Sequence, residues 1–114
     1  MGFQCVTENN FDGLVEGHKL LLIEFSAEWC APCKDFAKVM EQLQPEFTDF
    51  VFAQVDIEKE SGLASEFQVR SVPFVMIIKD KVVVYASAGA MPSSALKELL
   101  IQARDVSTDG VSSS

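Results

Sequence analysis

Along this chain the apolar residues follow two different periods, and the change from one to the other falls at a pair of cysteines. Leu20–Phe25 (LLLIEF) is apolar at every position but Glu24. An apolar run of that length without alternation predicts a strand covered on both faces, in the middle of a sheet flanked by helices. From Ala31 onward Cys33, Phe36, Ala37, Met40 and Leu43 recur at helical spacing, with Lys34, Asp35, Lys38, Glu41 and Gln42 outside the stripe. Pro45 ends this helix or closes its last turn. Phe50–Ile57 is a second apolar run, interrupted at Gln54.

The flanking segments complete the pattern. Phe3–Val6 alternates weakly and reads as a short strand. Asn9 is the predicted N-cap of a short helix to about Glu16, with Asp12 approximating a capping box. Ser61–Phe67 reads as another short helix, followed by a loop that ends in Val72–Pro73. Phe74–Ile78 and Val82–Ala86 are strands joined by Lys79–Asp80–Lys81, a link so short that they form an antiparallel hairpin. Lys81 stands where such a turn prefers glycine. Pro92–Ser93 opens a last helix that carries Leu96, Leu99, Leu100 and Ala103. The order is β-α-β-α-β-α-β-β-α, an α/β chain whose first three strands are parallel. It reads as one domain over residues 1–105, with a disordered tail over 106–114.

Composition narrows the function. A chain of 114 residues, 48% apolar with nine phenylalanines, has enough apolar material for a single core. A formal charge of −8 argues against binding a phosphate backbone, so no nucleic-acid partner is expected. The N-terminus MGFQCVTENN has neither the basic nor the apolar region of a secretory signal, and no apolar stretch is long enough to span a membrane. A cytoplasmic, membrane-free protein is therefore expected.

The chemistry sits in Leu20–Lys34. There a strand runs into Cys30–Ala31–Pro32–Cys33 just where the helix begins. Unpaired backbone N–H groups and the helix dipole stabilise a thiolate at a helix start. Three residues further on, Cys33 shares the helical face and lies close enough to close a disulfide with modest adjustment. Pro32 occupies the first turn, where its missing N–H costs nothing. Cys30 is the candidate nucleophile and Cys33 the resolving thiol. A structural zinc ion needs four ligands, and only Cys5 and His18 remain, in separate elements; no metal is expected. Cys5 reads as a buried inert thiol and His18 as a solvated loop residue. Trp29, at the helix entrance, reads as a lid that contacts substrate. Glu24 has two readings: a strand-end side chain turned to solvent, or a buried proton acceptor for Cys33.

The stretch Ala27–Glu28–Trp29–Cys30–Ala31–Pro32–Cys33–Lys34 resembles the active-site signature of the thioredoxin family. Val72–Pro73 resembles the family's cis-proline loop, and Ala88–Gly89–Ala90 its third substrate-facing loop. The resemblance covers residues 3 to about 104. It implies a thioredoxin fold: a five-stranded mixed sheet of order 1-3-2-4-5, flanked by four helices, with the Leu20 strand at the centre. It also implies a cis Pro73 facing the Cys30 sulfur, and a docking surface of Trp29, Ala31, Pro32, Val72 and Gly89. The implied activity is thiol–disulfide oxidoreduction on protein disulfides, without a cofactor, by a monomer that thioredoxin reductase recharges. Two other readings stand beside it: a dedicated periplasmic-type thiol reductase, and a redox-independent scaffold subunit.

Departures from the family pattern concentrate at one place. The family usually has Asp six residues before the first cysteine, where this chain has Glu24, and often Lys on the neighbouring strand, where it has Gln54. The buried acid–lysine pair becomes Glu–Gln. Smaller departures are Ala31 for glycine, Lys38 for a kinking proline, and Asp80–Lys81 in the hairpin.

Overall fold

The structure, a computed structural model, describes residues 2–108. Its elements are β1 (Gln4–Cys5), α1 (Phe11–Gly17), β2 (Leu20–Ser26), α2 (Ala31–Leu43), β3 (Val51–Asp56), α3 (Ser61–Glu66), β4 (Phe74–Lys79), β5 (Val82–Ala88) and α4 (Ser93–Asp105). Gln44–Glu46, around Pro45, forms a 3₁₀ turn that closes α2. The five strands lie in the order β1-β3-β2-β4-β5. β1, β3 and β2 are parallel, and β4 and β5 run antiparallel to their neighbours. This is the thioredoxin fold.

The uninterrupted run in β2 has the expected cause. Leu20 and Leu22 pack under α2 and α4, against Phe36, Met40, Leu96 and Leu100. Leu21, Ile23 and Phe25 face the other way, toward Val6, Leu63 and the apolar side of α1. Alternation along the strand therefore fills two cores rather than one core and solvent. In the β4–β5 hairpin, Asp80 and Lys81 both have positive φ, 50° and 70°. That is the conformation of a primed two-residue turn. Lys81 adopts it without being glycine, and its ammonium pairs with Glu16 at 2.9 Å.

Two expectations are corrected. The N-cap of α1 is Asn10, not Asn9, and neither Asn10 nor Asp12 caps through its side chain. Instead Thr7 and Asn10 close a turn on each other: the Thr7 N–H donates to Asn10 Oδ1 and the Asn10 N–H to Thr7 Oγ1. This delays helix entry by one residue. Cys5 is exposed, not buried, because β1 is a two-residue edge strand whose side chains are both open to solvent. Of the tail expected to be disordered over 106–114, residues 106–108 are described. Buried Lys79 donates from Nζ to the carbonyls of Arg104 and Val106, and Thr108 donates to Asp80 Oδ2. An ammonium there caps the C-terminal carbonyls of α4. The rest of the expected tail lies outside the described residues.

Phe36 is 1% exposed and pins the cysteine-bearing helix to the sheet. Phe36→Ala is expected to destabilise the fold by about 3–5 kcal/mol. Guanidinium denaturation of wild type and variant, both with the disulfide intact, checks this through a lowered midpoint at unchanged slope.

Candidate active site

β2 ends at Ser26, and four residues later Cys30 becomes the N-cap of α2 in extended conformation, φ −94° and ψ 101°. The Cys33 N–H donates to Cys30 Sγ at 3.1 Å. A first-turn amide that would otherwise be unpaired thus points at the sulfur. Cys30 and Cys33 are disulfide-bonded, with Cα atoms 5.3 Å apart, inside the usual range for such a bond. Both are buried, at 4% and 1% exposure, whereas Ala31 and Pro32 between them are exposed. Pro32 sits in the first helical turn as its chemistry requires.

Two other loops reach the pair. Val72 and Ile57 pack against the small cluster of Ala27, Cys30 and Cys33. The Val72–Pro73 bond is cis, and Pro73 is buried. The Gly89 N–H donates to the Pro73 carbonyl at 2.8 Å, and Gly89 has a φ of +115°, which an L side chain rarely adopts. The segments before α2, before β4 and after β5 therefore meet at one end of the sheet.

Trp29 is 66% exposed yet fixed, since its indole N–H donates to Glu58 Oε2 at 2.8 Å. Sequence reasoning missed Glu58. Its loop is held by Asp56, whose Oδ1 accepts the backbone N–H groups of Glu58 and Lys59. An Asp at the end of an apolar strand, two residues before an acid, is the signal that was available.

Glu24 is fully buried, which removes its solvent-facing reading. It sits on the α2 side of the sheet, in register with Gln54 of β3. Gln54 Nε2 donates to Glu24 Oε1 at 2.8 Å, while Oε2 is buried without a hydrogen-bond partner among the described residues. Burial pushes the Glu24 carboxyl up from its ordinary 4.5 to about 7, against a smaller lowering by the Gln54 hydrogen bond. Among the described residues no cluster of three or more metal-ligating side chains forms, and His18 is exposed after α1.

A buried disulfide whose first cysteine caps a helix, on this fold, defines a thiol–disulfide exchange protein. The thioredoxin family model matches residues 2–102. A Streptomyces coelicolor protein with the provisional name thioredoxin 2 is 42% identical over 106 residues, covering 93% of this chain and 79% of its own. A thioredoxin of Mycoplasmoides gallisepticum is 33% identical over 89 residues, or 78% of this chain and 89% of its own. Among solved structures, a single-site mutant thioredoxin of Halobacterium salinarum superposes with a TM-score of 0.82 at 30% identity, over 91% of this chain and 92% of that one. The chain belongs to the thioredoxin family and is a protein thiol–disulfide oxidoreductase. A redox-independent scaffold role is not favoured, since the two cysteines are bonded to each other at the site.

The raised Glu24 carboxyl makes stability depend on pH. Below about 4.5 the group holds its proton whether folded or unfolded; between there and about 7 only the folded chain holds it; above that the folded chain carries a buried carboxylate. Stability is therefore expected to fall as pH rises through this window, by roughly 3 kcal/mol in all. Denaturation of the oxidised protein at pH 5 and pH 8 tests the sign, and in Glu24→Gln that pH-dependent loss should disappear.

Proposed function

We propose that the protein reduces disulfides in other proteins, with Cys30 as nucleophile and Cys33 as resolving thiol. The observation that carries this reading is the Cys33 N–H directed at Cys30 Sγ at the start of α2. In the reduced protein the same amide and the positive end of the helix favour the Cys30 thiolate over the thiol. That thiolate attacks one sulfur of the substrate disulfide, forms a mixed disulfide and releases the other sulfur as thiolate. Cys33 then loses its proton and attacks Cys30 Sγ. The Cys30–Cys33 bond forms, the bond to substrate breaks, and the second substrate sulfur leaves with its electron pair. Glu24 accepts the Cys33 proton, since it is held in the fold with a carboxyl oxygen unpartnered.

An extended substrate segment docks across Trp29, Ala31, Pro32, Val72 and Gly89, with cis Pro73 beneath it. Trp29 supports this role because it is exposed yet immobilised by Glu58, so little side-chain freedom is lost on contact. Thioredoxin reductase is the electron donor that returns the dithiol, and the protein works as a cytoplasmic monomer. The Ala31–Pro32 pair supports reduction over oxidation, by resemblance to the reducing members of the family.

Insulin reduction driven by thioredoxin reductase is the direct assay. Cys30→Ser should abolish turnover, and Cys33→Ser should accumulate a trapped mixed disulfide. Glu24→Gln should slow the Cys33 step by about ten- to a hundredfold near neutrality while Cys30 alkylation stays within about twofold. Equal resolving rates in wild type and Glu24→Gln would remove Glu24 from the mechanism, and full activity of the double cysteine variant would remove the enzymatic reading itself.

A further inference from the structure

Charge at the active-site end of the molecule is unevenly placed. Trp29, Ala31, Pro32, Val72 and Gly89 carry no ionisable side chain, so the charge lies at the rim of the docking face. Beside Trp29 stand Glu28, its neighbour in the chain, and Glu58, both exposed. Glu58 Oε2 accepts the indole N–H at 2.8 Å, which fixes a carboxylate against the edge of a ring that is 66% exposed. The Glu58 loop is held in turn by Asp56 Oδ1, and Glu60 is turned away to accept the Glu8 N–H. Among the described residues, Glu28, Glu58 and Lys59 form no ion pair. The other charges nearby in the chain are Lys34 and Asp35 at the start of α2 and Arg70, two residues before Val72. Residues 86–92, which contain Gly89, contribute none.

An exposed indole held by a carboxylate is suited to a cation. The face of the ring attracts positive charge through its quadrupole, and indole does so best of the aromatic side chains. Donation of the indole N–H to Glu58 adds electron density to the ring and strengthens that attraction, while the carboxylate attracts the same cation directly. We propose that Glu58, acting with Trp29, is a specificity-determining residue that selects substrate disulfides with a lysine or arginine beside the attacked cysteine, an inference that rests on the reading of the protein as a disulfide reductase that docks substrate across Trp29. Trp29 immediately precedes Cys30, and an extended substrate advances about 3.3 Å per residue, so the favoured position is one or two residues from the substrate cysteine. Arg70 places the opposite sign on the cis-proline loop, which ties the preference for a cation to the Trp29 side. The formal charge of −8 favours basic partners over the whole surface; Glu58 gives that preference a position.

The test uses the reduced full-length protein in a Cys5→Ser background, so that Cys30 and Cys33 are its only thiols. It is mixed with symmetrical disulfides of three peptides, acetyl-Gly-X-Cys-X-Gly-amide, with X as lysine, glutamine or glutamate. The reaction is quenched with acid and the released peptide thiol is measured by chromatography. The readout is the ratio of the rate constants for the lysine and glutamine peptides, compared between variants so that the peptides' intrinsic reactivity cancels. Glu58→Gln keeps an acceptor for the indole N–H and removes the charge; it is expected to lower this ratio about fivefold at low salt. Glu58→Lys is expected to lower it further and to raise the glutamate-to-glutamine ratio above its wild-type value. Added salt is expected to move the wild-type ratio toward that of Glu58→Gln. Glu41→Gln, which removes the same charge from the last turn of α2, is expected to leave the ratio within about twofold. Unchanged ratios in both Glu58 variants, with all three peptides reduced, would overturn the selection and leave the reductase reading intact. An equal fall in Glu41→Gln would also overturn it, because net charge alone would then account for the preference. Failure of the wild type to reduce any of the peptides would overturn both.

Discussion

The site depends on one hydrogen bond, from the Cys33 amide to the Cys30 sulfur, and the rest of the fold can be understood as what holds that amide still. A helix start offers free N–H groups only if the chain enters it in an extended conformation and the helix cannot shift. Cys30, with φ −94° and ψ 101°, meets the first condition. Packing of Phe36 and Met40 against β2 and β3 meets the second. The sulfur therefore belongs to a turn whose polarity is set by the backbone, and no cationic side chain is needed beside it. This leaves the docking face free to be shaped by Trp29 and Val72 for contact rather than for charge.

Beneath the cysteine pair the fold tolerates a carboxyl that, among the described residues, no cation neutralises. A buried acid next to a cation would stay ionised and act poorly as a proton acceptor near neutrality. Here the partner is the neutral amide of Gln54, and Glu24 keeps one oxygen free. The cost is borne by the fold, because every pH at which the carboxyl is ionised is one at which a buried charge is carried. A two-layer core on either side of the sheet supplies the margin for that cost.

How much of this was legible in the sequence follows from the range of each interaction. The strands and helices were readable because their apolar periods are local: the two-sided burial of Leu20–Phe25 and the stripe from Cys33 to Leu43 each lie within one element. The strand order and the docking surface came by resemblance, since no local signal says that β3 lies between β1 and β2. Errors arose where distant partners decide. Cys5 looks like a core thiol until β1 is seen to be an edge of two residues. Nothing local shows that Lys79, 25 residues upstream of Arg104, bonds its carbonyl at the end of the last helix. Glu58 was invisible as the residue that fixes Trp29, because 29 positions separate the two. Asn9 was a nearer miss: the Thr7–Asn10 turn competes with a conventional cap one residue earlier.

The two sides of the pair also differ: apolar Val72 and Ile57 pack against it, and a cavity opens beside Cys33. In the proposed mechanism, attack by Cys30 needs a thiolate and an incoming disulfide, both of which gain from the expulsion of water from an apolar face such as Val72 and Ile57 provide. Resolution by Cys33 needs instead a place for a proton to go, which an apolar face cannot supply. The two half-reactions thus make opposite demands on solvent, and a single surface cannot meet both. Placing the cysteines one helical turn apart lets Cys30 cap the helix beside Val72 while Cys33, with Gln54, lines a cavity of about 290 Å³. The two-residue spacing between the cysteines is therefore more than a geometric requirement of the disulfide: it gives the two sulfurs different surroundings.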